Sequence, residues 1–228
     1  MERTGRRRSE NSNGHAGPPF TTTLGVNEMK TVNRGPVPLS AIERACIKAI
    51  SVAEKKHAHW SRGVTMRAAP ESLVQTLVAE AVAKEGMKLL LEVSVADMKR
   101  LQRNEPLTED DAATRKGRVD LAVYNESDMP RFIIEIKKLS GSGDCILEDC
   151  RRIHDLLAAC PSIQRGLILG YTVATKQATI NNRIESARVA TGCKVSKRLK
   201  VQPVVSKKGA SRLLGAAVFR VGRQQARP

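Results

Sequence analysis

The amino-acid sequence predicts an α/β fold, a mixed central sheet flanked by helices. Three observations lead there. Between Pro70 and Gly86, the stretch Glu71–Glu85 repeats apolar residues at helical spacing. Val119–Val123 and Phe132–Ile136 are short apolar runs of period two on either side of a polar, proline-ended turn, Asn125–Pro130. Gly166–Ala174, GLILGYTVA, is an unbroken apolar run, as expected of a strand buried on both faces.

Taken in order, residues 1–37 are rich in Gly, Ser, Asn, Thr and Pro and read as a disordered basic arm. Ser40 and Glu43 have the spacing of a capping box ahead of a helix from Ala41 to about His57, so 38–66 form an N-terminal helical segment. His57 and His59 suit the negative end of that helix better than a metal, because no third ligand follows them. In the next helix Leu73, Val74, Leu77, Val78, Ala81 and Val82 make the buried stripe, with Glu71 and Glu80 on its opposite flanks. Lys88–Val95 reads as a strand, and 97–116 as a polar connection with room for a short helix. After the break at Gly141–Gly143, Asp144 is a good N-cap for a helix to Ala159, stopped by Pro161. Thr179–Ala190 is a further helix. Lys200–Val205 and Ala216–Val221 are expected to form a closing hairpin or added edge strands.

Composition bounds the partners. The chain has 228 residues, 41% of them hydrophobic, enough for one domain with extensions. Its net charge is +16, and residues 194–228 hold ten Lys or Arg and no acid. This basic C-terminal extension suits a polyanion, with Lys197, Arg198, Lys200, Lys207, Lys208 and Arg212 as candidate phosphate contacts; a solvated basic tail is the alternative. Aromatic content is 3%, so nucleic-acid contact should rest more on charge than on stacking. Five cysteines without close spacing argue against a disulfide framework or a zinc knuckle and point to a reducing, cytoplasmic compartment. Neither a signal peptide nor a membrane-spanning run is expected, so no membrane partner is.

The chemistry concentrates in Gly117–Lys138, GRVDLAVYNESDMPRFIIEIKK. A pairing symmetric about the turn puts Asp120 opposite Glu135. Alternation then places Val119, Leu121, Val123, Phe132, Ile134 and Ile136 on a core face, and Asp120, Glu135 and Lys137 together on the other. Two carboxylates roughly 5 Å apart across a ladder repel. A divalent cation with oxygen ligands is the economical compensation. A salt-bridged, solvated face is the bland alternative.

The order helix, strand, strand, strand, helix, strand, with Asp120 in GRVDLAV and Glu135-Ile136-Lys137 in FIIEIKK, resembles the PD-(D/E)xK nuclease superfamily, the restriction-endonuclease-like fold. The resemblance covers about residues 70–175, within a core of 67–193; Gly117-Arg118-Val119-Asp120 departs from it in lacking the proline before the acid. It implies a Mg²⁺-dependent deoxyribonuclease, with Mn²⁺ as a substitute. Asp120, Glu135 and the Ile136 carbonyl would hold the metal, Lys137 would orient or polarise the attacking water, and a homodimer is possible. Glu71 is the implied helix acid, Glu80 its reserve, and Gln75 shares the Glu71 face. Arg151, Arg152 and His154 read as phosphate contacts or as a solvated helix face. The rival functions are a catalytically inactive nucleic-acid-binding protein on the same fold, or an interaction protein with a basic tail.

Overall fold

Hydrophobic spacing and chain breakers set the elements seen in the computed structural model, which describes residues 37–103, 117–141, 143–204 and 211–223. Helix α1 spans Leu39–Trp60 and α2 spans Glu71–Ala83, each entered through an extended proline, Pro38 and Pro70. Strand β1 (Lys88–Ser94) runs straight into α3 (Val95–Arg103). Strands β2 (Arg118–Tyr124) and β3 (Pro130–Lys138) form the hairpin. After a 3-10 turn at Gly143–Ile146 come α4 (Leu147–Ala159), β4 (Arg165–Ala174) and α5 (Gln177–Thr191). Strands β5 (Lys194–Arg198), β6 (Gln202–Val204) and β7 (Arg212–Val221) follow.

The sheet order is β1-β2-β3-β4-β7-β5, with β6 also on β7. Only β3 and β4 are parallel, and α4 crosses between them, so the sheet is mixed. On one face α1 and α2 pack over Leu121, Val123, Phe132, Ile134, Ile136, Leu169 and Val218. On the other, α3, α4 and α5 cover Val119, Ala122, Ile133, Ile168 and Phe219. The expected mixed α/β class is therefore met. No helix among the described residues is long and apolar enough to cross a membrane.

Several expectations need correction. Ser40 and Glu43 do not cap α1: the helix begins one residue before Ser40, no side chain caps it, and Glu43 is buried against Arg220 of β7. Asp144 lies in the 3-10 turn, and Ile146 occupies the N-cap position of α4. Of the two arrangements expected for Lys200–Val205 and Ala216–Val221, the closing hairpin is the one found, β6 pairing antiparallel with Arg212–Leu214 of β7; Ala216–Val221 is no edge strand, because β7 is held between β4 and β5. The Lys194–Arg198 stretch, read only as charge, forms the edge strand β5. The arm at 1–36, the connection 104–116, and Lys207 and Lys208 lie outside the described residues.

One glycine sets the distance between α4 and the sheet. A Cβ on Gly166 of β4 would sit 2.1 Å from Ile153 Cγ2. With only hydrogen there, α4 comes close enough for its polar flank to reach β3.

A candidate metal-dependent active site

The hairpin pairs as its symmetry requires: Leu121 faces Ile134, Ala122 faces Ile133 and Val123 faces Phe132. That register projects Asp120 opposite Glu135, but the ladder stops one step short. Asp120 Oδ2 instead accepts the Ile136 N–H at 2.5 Å. The break is shared by the neighbouring strand. Leu91 pairs with Leu121 and Val93 with Val119, while Glu92 and Asp120 between them do not pair. Glu92 has φ +54, a left-handed conformation that costs a non-glycine residue roughly 1 kcal/mol or more.

The backbone turns over at this break, which overturns one expectation. Val119 does not share the face of Leu121 and Val123; it packs in the opposite core with Ala122 and Ile133. Strict alternation fails because a strand with no partner at Asp120 is free to twist there. Asp120 consequently meets α2 as well as β3: its Oδ1 accepts Gln75 Nε2 at 2.8 Å, and the same Gln75 nitrogen donates to Glu92 Oε1 at 3.1 Å.

Glu135 lies on the α4 side and is only 3% exposed. Arg152 NH1 donates to its Oε1 at 2.9 Å and to the Arg118 carbonyl at 3.1 Å. Lys137 Nζ stands 3.2 Å from Asp149 Oδ2, and Arg152 NH1 stands 3.4 Å from Asp149 Oδ1. Asp149 is 4% exposed, and its Oδ2 has no hydrogen bond, only the lysine's charge. Arg152 thus serves neither role expected of it, since it is neither solvated nor free for phosphate. Arg151 is exposed, and Lys138 closes β3 with its ammonium on the Arg67 carbonyl.

Electrostatics mark the cluster as short of positive charge. Glu135 is pushed up to about 8, first by desolvation and then by Asp120 and Asp149, and Arg152 only partly offsets them. Asp120 is raised, mainly by desolvation, against the stabilising Ile136 N–H and Gln75 bonds. Glu71, at the exposed start of α2, is also raised by desolvation. Asp120 and Asp149 push it the same way, and Lys137 and Lys138 oppose them. For Lys137, desolvation works downward, but Asp149, Glu71 and Asp120 outweigh it and hold the ammonium above the ordinary range. Lys137 stays charged and cannot act as a general base near neutral pH.

The geometry sorts the remaining sequence candidates. Gln75 reaches Asp120, and Glu71, one turn earlier on α2, feels its charge. Glu80 faces away, pairing with Lys84 at 2.6 Å and Lys56 at 3.7 Å. Lys197, Arg198, Lys200 and Arg212 are far from these acids along the sheet order. Lys197 and Arg198 lie on edge strand β5, where Arg198 approaches Glu185 at 4.0 Å, Lys200 follows it, and Arg212 opens β7. Asp149 was not legible as a site residue. Its signal is the spacing Asp149, Arg152, Leu156, which flanks the buried Cys150–Ile153–Leu157 stripe.

Among the described residues, no group of three or more His, Cys, Asp or Glu side chains is gathered around one point as a ready ion cage. Asp120 and Glu135 are two such ligands. A strand residue sends its N–H and C=O out on the same side, so the Ile136 carbonyl points with its N–H into the gap where the β2 ladder has ended. Two carboxylates and a carbonyl are hard oxygen donors suited to Mg²⁺, which keeps several waters in its remaining positions. Compared with family models, curated proteins and solved structures, the chain finds no match.

Proposed function

We propose that the chain is a Mg²⁺-dependent nuclease of the PD-(D/E)xK type, hydrolysing phosphodiester bonds of DNA at the Asp120–Glu135–Lys137 cluster. The observation that carries the reading is charge. Glu71, Asp120, Glu135 and Asp149 crowd around Lys137, Lys138 and Arg152, four acids to three cations, in a chain whose net charge is +16. Carboxylates that raise each other's pKa mark a place where a bound cation would be favoured. The same residue pattern and element order are what the PD-(D/E)xK resemblance implies.

In this reading Asp120, Glu135 and the Ile136 carbonyl would hold the ion, and a bound Mg²⁺ would supply a more acidic water and charge stabilisation for the phosphoryl oxygens. Asp120 is aimed by Gln75 and the Ile136 N–H. Lys137, kept charged by Asp149, orients the water and faces the developing negative charge. Glu71 supplies a further carboxylate at the rim. The cations of β5 stand three strand spacings from β3, about 14 Å. A duplex lying across the sheet end reaches both.

A second reading has one observation in its favour. Arg152 already occupies Glu135 at 2.9 Å, as a cation would, which suits a non-catalytic nucleic-acid-binding protein. A cleavage assay separates the two. Plasmid and linear DNA are incubated with Mg²⁺, with Mn²⁺ and with EDTA, using wild type, Asp120→Asn and Lys137→Ala, each checked for folding by circular dichroism. The nuclease reading expects metal-dependent cutting that falls by about 10²-fold or more in either variant. Equal activity in all three, or retarded DNA with no cutting, rejects it.

A further inference from the structure

The chain's single tryptophan is 61% exposed. Every other aromatic residue among those described is buried: Tyr124, Phe132, Tyr171 and Phe219 are 6% exposed or less. The indole thus offers solvent a broad aromatic face, while the other described rings are buried. Trp60 closes α1, and from Lys55 to Pro70 there is no acid at all. Lys55, Arg62 and Arg67 are exposed along this stretch, with His59 beside the ring, while Lys56 answers Glu80.

The turn that follows the ring is pinned by hydrogen bonds. Ser61 Oγ donates to the His57 carbonyl at 2.5 Å and accepts the Val64 N–H at 3.1 Å, and the Gly63 N–H reaches the Ala58 carbonyl at 2.6 Å. Arg62 has φ +55, a conformation a non-glycine side chain rarely takes, and the turn fixes it there. The segment then returns to the candidate site. The buried Glu54 carboxylate accepts the Met66 N–H at 2.8 Å, and the Arg67 carbonyl accepts Lys138, the residue after Lys137. Glu71 begins α2 three residues beyond Ala68.

We propose that Trp60, with the exposed Arg62 and Arg67 of the segment that follows it, is a stacking platform for an unpaired base of a nucleic-acid strand that runs on to the Asp120–Lys137 cluster. Bases in a duplex already stack on each other, so an exposed indole gains most from an unpaired one. The surrounding cations neutralise the backbone phosphates on either side. The substrate class this selects is single-stranded DNA, or duplex with a frayed, flapped or extruded nucleotide. The inference rests on the nuclease reading for the identity of the polyanion and deepens it by naming the form.

Because Trp60 is the only tryptophan, its fluorescence reports on this surface alone. The full chain is titrated in EDTA, where no metal-dependent cleavage occurs, with oligo-dT, with a blunt duplex of equal length, and with phosphatidylserine vesicles. The expected result is quenching by oligo-dT that weakens with salt, and clearly less by duplex. Anisotropy of a labelled oligo-dT should show Trp60→Ala binding about 5- to 150-fold more weakly, with Trp60→Phe keeping most of the affinity. Equal quenching by duplex, quenching by vesicles alone, or unchanged affinity in Trp60→Ala overturns the proposal. A chain that cuts DNA without quenching overturns this proposal alone. A chain that quenches but never cuts rejects the nuclease reading and leaves the platform standing.

Discussion

Two acid–arginine pairs lie two strands apart on opposite faces of this sheet and behave in opposite ways. Glu43 of α1 is 0% exposed and takes Arg220 of β7 in a two-pronged contact. Desolvation pushes its carboxyl up, yet Arg220, Ser196 and Lys197 together outweigh this, and it titrates below the ordinary carboxylate range. Glu135 is nearly as buried and also has an arginine, but its neighbours are Asp120 and Asp149, and it is pushed up to about 8. Burial and an arginine do not decide the charge state of an acid; the sign of the next neighbours does. The first pair is a complete structural bolt. The second is one positive charge short.

The comparison can be broken at either end. Arg220→Ala leaves a buried carboxylate with its main partner gone and should cost about 3 kcal/mol in urea unfolding; a loss under about 1 kcal/mol would show that the bolt carries no weight. Arg152→Ala should cost less, under about 2 kcal/mol at pH 6, because Glu135 answers by holding its proton. Equal losses for the two arginines would erase the contrast. The pH dependence should also oppose. Without a cation, folded Glu135 keeps its proton up to about pH 8 while the unfolded chain releases it near 4.5, so stability falls as pH rises through that window. Glu43 is depressed, so its contribution is present above the unfolded value and disappears as pH falls through the folded one. Urea midpoints in EDTA at pH 5 and 8 test this, since Glu135→Gln should flatten the alkaline decline. The smallest effect belongs to Glu80→Ala, whose exposed pairs should leave the urea midpoint and cleavage unchanged.

Much of this was legible in the sequence because periodicity records burial. The stripe of α2, the doubly buried β4 and the hairpin register all follow from it, and the register points Asp120 toward Glu135, although the ladder ends at Leu121 and Asp120 takes the Ile136 N–H instead. Val119 was misassigned because alternation assumes an unbroken ladder, and nothing local in GRVDLAV announces that pairing lapses at Asp120. The capping box at Ser40 failed for a related reason. A tertiary partner 177 residues away, Arg220, claims Glu43 before the helix end can use it. The roles of Arg152 and Asp149 depend on how closely α4 lies on β4, which a single missing methyl at Gly166 sets.

β7 has a consequence for how the molecule is made. It is the last described strand, yet it lies inside the sheet, hydrogen-bonded to β4, β5 and β6, and it carries the arginine that holds α1 in place. Until Val221 has emerged from the ribosome, β4 has an open edge, β5 has nothing to pair with, and Glu43 has no counter-charge. The nascent chain must wait with a long apolar strand exposed, folding late and by distant contacts. Chaperone demand should therefore peak just before synthesis reaches the end of that strand.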